Sequence, residues 1–370
     1  MTTPLKIGVL FGGRSGEHEV SLVSGKTVMA HLDAKRYGVY ALGIRRDGAF
    51  ASPAQTRAML DGPLPDVVPS GGVVTNSKKG GLLDLRALTE EGETVELDLF
   101  FPILHGPFGE DGTMQGFLEM MGRPFVGCGV AVSACGMDKE LTKRLLKEAG
   151  LPVIAHDVVS RWEWDEAPER VVEKALETVG TPCFVKPCRM GSSVGITRVA
   201  KAGAMREALE LALRYDYKVL VEAALDVREF ECSVMGNTEV EVSHPGEILP
   251  SREFYDYSAK YLDGDASKLL IPAPISEHET QTLMDMAKRG FEALGAEGFA
   301  RVDFLQDKKD GSVYINEINT IPGFTEISMF PKLWSHEGRS ISEVLDTLVS
   351  LALERHRWKQ GLTIPRSTEG

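Results

Sequence analysis

The 370-residue chain lacks features that mark whole classes of protein. No apolar run approaches the ~20 residues of a membrane-spanning helix, so we expect no membrane association. Basic residues do not predominate, because 41 Lys and Arg stand against 54 Asp and Glu, a formal net charge of −13. Nucleic-acid-binding proteins usually carry a basic surface, so this balance argues against a nucleic-acid partner.

Cysteines are few and show no paired spacing. The chain has five of them, an odd number with no C-x-x-C, which predicts neither a disulfide framework nor a zinc site. This usage is typical of a reducing compartment. The N-terminal sequence MTTPLKIGVLFGG lacks the charged start and the cleavage site of a signal peptide. We therefore expect a cytoplasmic protein.

Two common nucleotide-binding motifs are also missing. The glycines within residues 12–16 lack the G-x-G-x-x-G spacing of a dinucleotide fold, and loop 187–195 lacks the Walker pattern GxxxxGK[ST]. The small residues of loop 187–195 nevertheless allow backbone N–H groups to approach a phosphate. Lys186 before this loop and Lys139 at a helix start are candidate phosphate ligands, although each alone is more simply a solvated surface charge.

The length predicts two or three domains, and 43% hydrophobic residues suffice for full cores. Strand and helix signals alternate over residues 5–44 as in a βαβ unit, and a buried strand is predicted at 95–104. In an open α/β sheet, ligands bind beyond the carboxyl ends of the strands, which is where loops 12–17 and 105–112 lie. On its own, His105 is more simply a structural turn residue.

The second half of the chain shows clear helix starts and one long irregular stretch. Helices are predicted at 277–294 and 341–356, each preceded by the Ser-x-x-Glu pattern of a capping box. Residues 245–275 are rich in turn and polar residues. Long stretches of this kind are often active-site lids, so we expect a mobile lid there.

Residues 299–328, FARVDFLQDKKDGSVYINEINTIPGFTEIS, predict a β-hairpin whose polar face carries chemistry. Polar Arg301 and Asp303 alternate with apolar residues, and an Asp-Gly turn separates this strand from the next. If the strands pair about the middle of that turn, Asp303 lies opposite Glu317 and Arg301 lies opposite Asn319.

Two opposed carboxylates on one face of a hairpin lie about 4.5–5.5 Å apart at Cβ, so they repel unless a positive charge lies between them. The oxygens of Asp303, Glu317 and Asn319 form a ligand set that suits Mg²⁺ carrying substrate phosphates. Arg301 cannot bind a metal and is left to bind an anion. The alternative is a hairpin with a solvated acidic face.

Several motifs then point to one family. The segments KPCRMGSSVGI, VLVEAALDVREFE, YDYSAKYLDG, ARVDF and NEINTIPGFTEIS resemble the D-alanine–D-alanine ligases of the ATP-grasp superfamily, as do FGGRSGEHEVS and LHGPFGEDGT. The resemblance spans roughly residues 5–355. It implies a three-domain α/β ATP-grasp architecture. The N-terminal unit, 1–127, holds an open parallel sheet, the central unit, 128–221, holds the phosphate loop, and the C-terminal unit, 222–370, holds the lid and the metal site.

The resemblance implies ATP-dependent ligation of two D-alanines for peptidoglycan synthesis, through an acyl phosphate, by a homodimer. It assigns two Mg²⁺ or Mn²⁺ to Asp303, Glu317 and Asn319. It assigns ATP to Lys139, Lys186, Ser192, Ser193, Glu222, Ala223, Ala224, Leu225, Glu229 and Lys260. Catalytic roles fall to Glu17, Ser192, Tyr261, Arg301 and Gly323, and substrate contacts to Glu17, His105, Ser328 and Met329.

One position departs from part of the family, because some relatives have an aromatic residue where Ala224 stands. Two alternative functions stay open. One is an ATP-grasp ligase that uses D-lactate or D-serine as acceptor. The other is an ATP-binding regulatory protein without turnover, which loss of Arg301, Asp303, Glu317 or Asn319 would favour, but all four are present.

Overall fold

The computed structural model describes residues 3–62, 64, 66–76, 83–249 and 268–362. Within these ranges the chain forms three β-sheets with helices packed on them, which confirms the predicted α/β class. No described helix combines the length and the apolar character that crossing a bilayer would require.

The first sheet precedes residue 103. Its strands are β1 (Leu5–Gly12), β2 (Tyr37–Ile44), β3 (Val67–Asn76), β4 (Leu83–Leu88), β5 (Thr94–Val95) and β6 (Leu99–Pro102), in the order β5-β4-β3-β2-β1-β6. Its helices are α1 (His18–His31), α2 (Pro53–Met59) and α3 (Thr113–Met120). Because β6 and β1 are adjacent and parallel, the loops that follow them emerge at one edge of the sheet, as the sequence predicts. The sequence analysis did not predict β3 and β4.

The second sheet lies in the middle of the chain. It follows α4 (Val130–Met137) and α5 (Lys139–Glu148), and its strands are β7 (His156–Ser160), β8 (Cys183–Pro187), β9 (Thr197–Val199) and β10 (Lys218–Ala223), in the order β7-β10-β8-β9. All its pairings are antiparallel, and α6 (Arg161–Glu166), α7 (Pro168–Thr178) and α8 (Met205–Ala212) belong to this part of the chain. The phosphate-loop candidate connects β8 to β9.

The third sheet is antiparallel throughout. Its strands are β11 (Val227–Gly236), β12 (Val240–Val242), β13 (Gly246–Leu249), β14 (Lys268–Leu270), β15 (Gly298–Asp307) and β16 (Val313–Asn319). The order is β14-β13-β11-β15-β16, with β12 paired to β11. The remaining helices are α9 (Glu277–Ala293), α10 (Met329–His336) and α11 (Ile341–Gln360).

Both predicted capping boxes are confirmed. Ser276 Oγ accepts from the Glu279 N–H at 3.3 Å, and the Glu279 carboxylate accepts from the Ser276 N–H at 2.9 Å. Ser340 and Glu343 repeat this pair of bonds at 3.3 and 2.8 Å. Since each box satisfies two N–H groups that the helix leaves without partners, it fixes where α9 and α11 begin.

An aromatic cluster joins the first sheet to the third. Phe324 is fully buried, and its ring centroid lies 6.5 Å from that of Phe101, 5.8 Å from that of Phe299 and 5.2 Å from that of Phe330. Burying one such side chain contributes about 2–3 kcal/mol. Since Phe324 directly follows Gly323, this packing anchors the loop to which the resemblance assigns an oxyanion site.

The core of the third sheet also takes in residues that the domain prediction assigns to the central unit. Cys128, Val132 and Leu146 pack there with Phe230 and Val302. The three predicted domain ranges remain a prediction.

Candidate active site

A cleft of about 1040 Å³ opens between the second and third sheets and reaches the edge of the first. An adjoining cavity of about 310 Å³ extends it toward α10. Predicted site residues line the cleft: Glu17, His105, Lys139, Lys186, Ser192, Ser193, Glu222, Ala223, Ala224, Leu225, Glu229, Arg301, Glu317, Asn319 and Gly323. Asp303, Ser328 and Met329 line the adjoining cavity. The structure therefore brings together every predicted site residue that it describes.

The predicted hairpin register is confirmed. In the β15–β16 pair, Asp303 lies opposite Glu317 and Arg301 opposite Asn319. A register shift follows directly after Asp303, so that Phe304 lies opposite Ile315. Such a bulge bends the strand at the acidic pair, a common device beside active sites.

Within the described residues, basic groups neutralise both hairpin carboxylates. Arg301 donates to Asp303 from Nε and Nη2, each at 2.7 Å, and Asn319 Nδ2 donates to Asp303 Oδ2 at 2.9 Å. Glu317 Oε2 lies 3.5 Å from Lys139 Nζ. The side chains of Asp303 and Glu317 are 14% and 28% exposed, so they remain accessible from the cleft.

The first sheet contributes Glu17, at the start of α1. Ser192 Oγ donates to Glu17 Oε1 at 2.5 Å and so connects two loops far apart in sequence. A Cβ atom on Gly191 would lie 2.5 Å from Glu17 Oε2, and one on Gly106 would lie equally close. The two glycines are therefore needed for this approach of backbone to carboxylate.

Glu110 lines the same end of the cleft. Burial and the neighbouring Glu17 carboxylate raise the pKa of Glu110 to about 8. The sequence places Glu110 in the motif HGPFGEDG, but nothing in that pattern indicates a protonated carboxyl.

Lysines surround the end of the cleft opposite Glu17 and Glu110. Lys139 Nζ donates to the Met190 carbonyl at 2.9 Å, which places this ammonium beside the β8–β9 loop. Lys186 Nζ donates to Glu222 Oε2 at 2.6 Å, and Lys143 Nζ lies 2.5 Å from Glu222 Oε1. The sequence analysis missed Lys143, although its place one helical turn after Lys139 puts both on one face of α5.

Glu222 is 1% exposed, and both of its carboxylate oxygens contact lysines. Burial alone would raise the pKa of Glu222, but Lys186 and Lys143 outweigh it and lower the pKa to about 2. The backbone continues along the cleft, where the Ala223 N–H donates to the Ala155 carbonyl and the Ala224 N–H to that of Pro182.

His105 is buried, and protein groups engage both of its ring nitrogens. Nδ1 lies 3.0 Å from the Ile321 carbonyl, and Nε2 lies 3.1 Å from Ser24 Oγ, which also accepts from the Phe324 N–H at 3.2 Å. Burial lowers the pKa of His105, so the ring is neutral at pH 7. The sequence analysis missed Ser24, which resembles any other small residue of α1.

The loop between β16 and α10 completes the site. Ser328 Oγ accepts from the Thr325 N–H at 3.0 Å, and a Cβ on Gly323 would lie 2.8 Å from this hydroxyl. Gly323 and Ser328 are therefore close neighbours. Met329 is 4% exposed and lines the adjoining cavity.

The predicted contacts of Lys260 and Tyr261 lie outside the described residues, as does most of the predicted lid. The described ends of that stretch are β13 and β14, which pair with Leu249 opposite Lys268. Ile248 of β13 and Leu269 of β14 help to line the adjoining cavity.

Two family models match the chain. The model described as D-ala D-ala ligase N-terminus matches residues 6–128, and the one described as D-ala D-ala ligase C-terminus matches residues 145–350. Curated proteins named D-alanine–D-alanine ligase are similar over nearly the full length. The one from Heliobacterium modesticaldum is 48% identical over 357 residues, 96% of each chain. The one from Geobacillus thermodenitrificans is 41% identical over 358 residues, 97% of this chain and 98% of that protein.

Solved structures share the fold. The D-alanine-D-alanine ligase from Coxiella burnetii superposes with a TM-score of 0.82 at 33% identity, covering 97% of both chains. The VanG D-Ala:D-Ser ligase from Enterococcus faecalis gives a TM-score of 0.80 at 34% identity, covering 95% of this chain and 100% of that one.

Proposed function

Since the chain belongs to the D-alanine–D-alanine ligase family, we propose that it joins two D-alanines with consumption of ATP and release of ADP and phosphate. The observation that carries this proposal is the convergence of three groups on one cleft. These are the Glu17–Ser192 pair from two different loops, the lysines beside the β8–β9 loop, and the Arg301, Asp303, Glu317 and Asn319 face of the hairpin.

The arrangement suits activation of a carboxylate. A carboxylate is a poor electrophile at neutral pH, and transfer of the γ-phosphoryl group to one of its oxygens supplies a leaving group. The amine of the second amino acid then attacks the acyl carbon, and phosphate departs with the C–O bond electrons. Positioning and electrostatic stabilisation carry most of the catalysis in such transfers.

We assign the nucleotide to the lysine-rich end of the cleft. Lys139, Lys186 and the backbone at Ser192 and Ser193 lie where they can hold phosphates. The segment Ala223, Ala224 and Leu225 follows the buried Glu222 and is assigned to the adenine ring. Because the Ala223 and Ala224 N–H groups already donate to protein carbonyls, we assign the base contact to the Leu225 N–H. The ribose falls to Glu229.

The hairpin fits two Mg²⁺ or Mn²⁺ ions brought in with the nucleotide. Among the described residues, no group of three or more His, Cys, Asp or Glu side chains is placed to hold a metal ion. Asp303 and Glu317, which lie opposite each other, and Asn319 would hold the ions, because their side chains supply hard oxygen ligands, and Glu317 would serve both ions. When bound, the ions neutralise the phosphates during transfer.

We assign the amino acids to the other end. Glu17, oriented by Ser192, takes the ammonium of the first D-alanine. Tyr261 is proposed to link to this pair and Lys260 to reach the γ-phosphate, and both lie outside the described residues. Arg301 and the Gly323 N–H face the carbonyl oxygen, where negative charge develops. Ser328 and the Met329 backbone take the second carboxylate. His105 keeps its proposed place beside the substrate, and its hydrogen bonds to Ile321 and Ser24 give it a second role in holding the Gly323 loop.

We further propose that the enzyme acts as a cytoplasmic homodimer in peptidoglycan synthesis. Light scattering of the purified chain tests the dimer, since a monomeric mass at working concentration contradicts it.

One experiment tests the function. ADP release is measured with each of a panel of D- and L-amino acids and D-lactate, and the products are identified by mass. We expect D-alanyl-D-alanine as the main product and no ADP release with L-amino acids. Yields of depsipeptide or D-alanyl-D-serine that rival the dipeptide at pH 7 would favour the alternative acceptors. D-Serine is included because a D-Ala:D-Ser ligase is among the similar structures. ATP binding without any ADP release would favour a regulatory protein.

A further inference from the structure

Lys143 is a buried lysine that has no part in the proposed reaction. Its side chain is 1% exposed, so it reaches neither solvent nor a ligand. Its Nζ lies 2.5 Å from Glu222 Oε1 and donates to the Asn316 carbonyl at 3.4 Å. Lysine is rarely buried this completely, and the desolvation of its charge is costly unless it is paired. The complete burial of Lys143 therefore needs a physical explanation.

Glu222 joins Lys143 to a second lysine. Its Oε1 contacts Lys143, and its Oε2 accepts from Lys186 Nζ at 2.6 Å. The side chain of Glu222 is 1% exposed, whereas that of Lys186 is 13% exposed and lines the cleft. Lys186 is thus the cation of this cluster that a ligand can contact.

The charges of the cluster formed by Lys143, Glu222 and Lys186 explain why it contains a second, fully buried lysine. Two ammonium groups and one carboxylate leave a net charge of +1. If Lys143 were uncharged, Glu222 and Lys186 would form a neutral pair, and the field of Lys186 at the cleft would be largely cancelled. Such cancellation is substantial because a protein interior screens charges far less than water does.

We propose that Lys143 is a positioning residue that balances the charge of Glu222, so that Lys186 presents an uncancelled positive charge to the phosphates of a bound nucleotide. The inference rests on the proposed nucleotide site. Lys143 also contacts Asn316, the residue before Glu317, and so holds the hairpin strand against the same cluster.

The test compares Lys143→Met with the double variant Lys143→Met/Glu222→Gln. The net charge of the cluster is +1 in the parent, zero in the single variant and again +1 in the double variant. Calorimetry measures the Kd of ATP with Mg²⁺ in the absence of D-alanine, and the Kd of adenosine. We expect the single variant to weaken ATP binding about tenfold, the effect of losing one charge-assisted contact. Adenosine binding should stay within about twofold, because it carries no phosphate.

The double variant separates a charge role from a packing role. If Lys143 acts through charge, the second substitution restores the ATP Kd to within about threefold of the parent value. Each ATP Kd is divided by the adenosine Kd of the same variant, because Glu222 itself belongs to the proposed nucleotide site. If Lys143 only supports packing, the second substitution weakens ATP binding further. In the double variant neither fully buried position carries a charge, and the one charge left is that of Lys186, which reaches the cleft. The double variant therefore decides the question even where Lys143→Met alone does not fold.

Arg355→Met is the matched control. Arg355 is another buried cation, 4% exposed, and it donates to the Phe125 carbonyl at 2.8 Å and to the Gly127 carbonyl. Its loss should lower the thermal midpoint and leave the ATP Kd of the folded protein unchanged. If Lys143→Met binds ATP as tightly as the parent, the inference about Lys143 is wrong and the proposed function is unaffected. A parent chain that binds no ATP overturns the proposed function.

Discussion

Two carboxyl groups at opposite ends of the cleft differ in protonation: Glu222 is fully buried, and Glu110 is half-buried. Two lysines flank Glu222 and lower its pKa to about 2 against the effect of burial. Glu110 lies beside the Glu17 carboxylate, and burial together with that negative charge raises its pKa to about 8. Burial raises the pKa of both carboxyl groups and is the largest cause for Glu110, whereas the two lysines beside Glu222 reverse its effect there. The end of the cleft proposed for the nucleotide therefore carries net positive charge, and at the end proposed for the amino acids the protonation of Glu110 limits the negative charge.

Between these ends lies the hairpin, whose carboxylates are only partly buried. The side chain of Glu317 is 28% exposed, and its ion-pair partner, Lys139, lies 3.5 Å away, compared with 2.5 and 2.6 Å in the Glu222 cluster. The Glu222 contacts are enclosed, whereas Glu317 lines the cleft and is open to the metal ion that we propose for it.

Glu317→Gln should have the largest effect, because it removes the exchangeable charge and keeps the side-chain volume. We expect turnover to fall by about 10³-fold or more at saturating Mg²⁺, with thermal unfolding almost unchanged. Asp310→Asn, at the exposed turn of the same hairpin, is the control and should leave turnover unaltered. Near-parental turnover in Glu317→Gln would refute the metal assignment.

Glu17→Gln should have the next largest effect and acts at the other end. It removes a charge-assisted contact with the substrate ammonium, so kcat/KM for D-alanine should fall about 100-fold while the KM for ATP stays constant. Glu19→Gln is the control, because Glu19 is 57% exposed and pairs with Arg46 outside the cleft. A rise in the KM for ATP matching the loss for D-alanine would contradict the division of the cleft into two ends.

The sequence predicts much of the hairpin because its information is local. The Asp-Gly turn and the period-2 pattern define the register that places Asp303 opposite Glu317. Contacts between distant segments leave no such local signal. The bond of Ser192 to Glu17, and the enclosure of Lys143 by Glu222 and Asn316, depend on how three sheets pack together.

The missed elements have a similar explanation. β13 and β14 are short and acquire their pairing only from the third sheet, and α4 is too short to show helical periodicity. The family resemblance names most site residues, but it does not indicate that both oxygens of Glu222 are occupied by lysines.

Ser24→Ala should have a moderate effect at the amino-acid end. It leaves the Phe324 N–H and His105 Nε2 without their hydroxyl partner, which costs about 1–3 kcal/mol of stability for buried groups. We expect a lower thermal midpoint and a several-fold fall in kcat, because the Gly323 loop loses one of its anchors. Ser342→Ala, which removes a bond to the His31 carbonyl on a different face, is the control. An unchanged kcat alongside the lower midpoint would show that the loop is fixed without Ser24.

Glu110→Gln should have the smallest effect on activity. It tests, through the pH dependence of stability, whether Glu110 is protonated while Glu222 is ionised. The folded chain keeps the Glu110 proton up to about pH 8, whereas an unfolded carboxyl loses it near pH 4.3. Stability therefore falls as pH rises between these values, by about 2 kcal/mol from pH 6 to pH 8. The glutamine variant cannot ionise, so its thermal midpoint should fall less over that interval. Equal falls in parent and variant would show that Glu110 is already ionised at pH 6.

The proposed reaction depends on an acyl phosphate formed in this cleft. Transfer of a carboxylate oxygen to phosphate tests this step most directly. D-Alanine labelled with ¹⁸O at both carboxylate oxygens is incubated with ATP and Mg²⁺, and the released phosphate is analysed by mass spectrometry. Attack of a carboxylate oxygen on the γ-phosphorus predicts one ¹⁸O in phosphate for each dipeptide formed. Dipeptide formation with unlabelled phosphate would contradict the account.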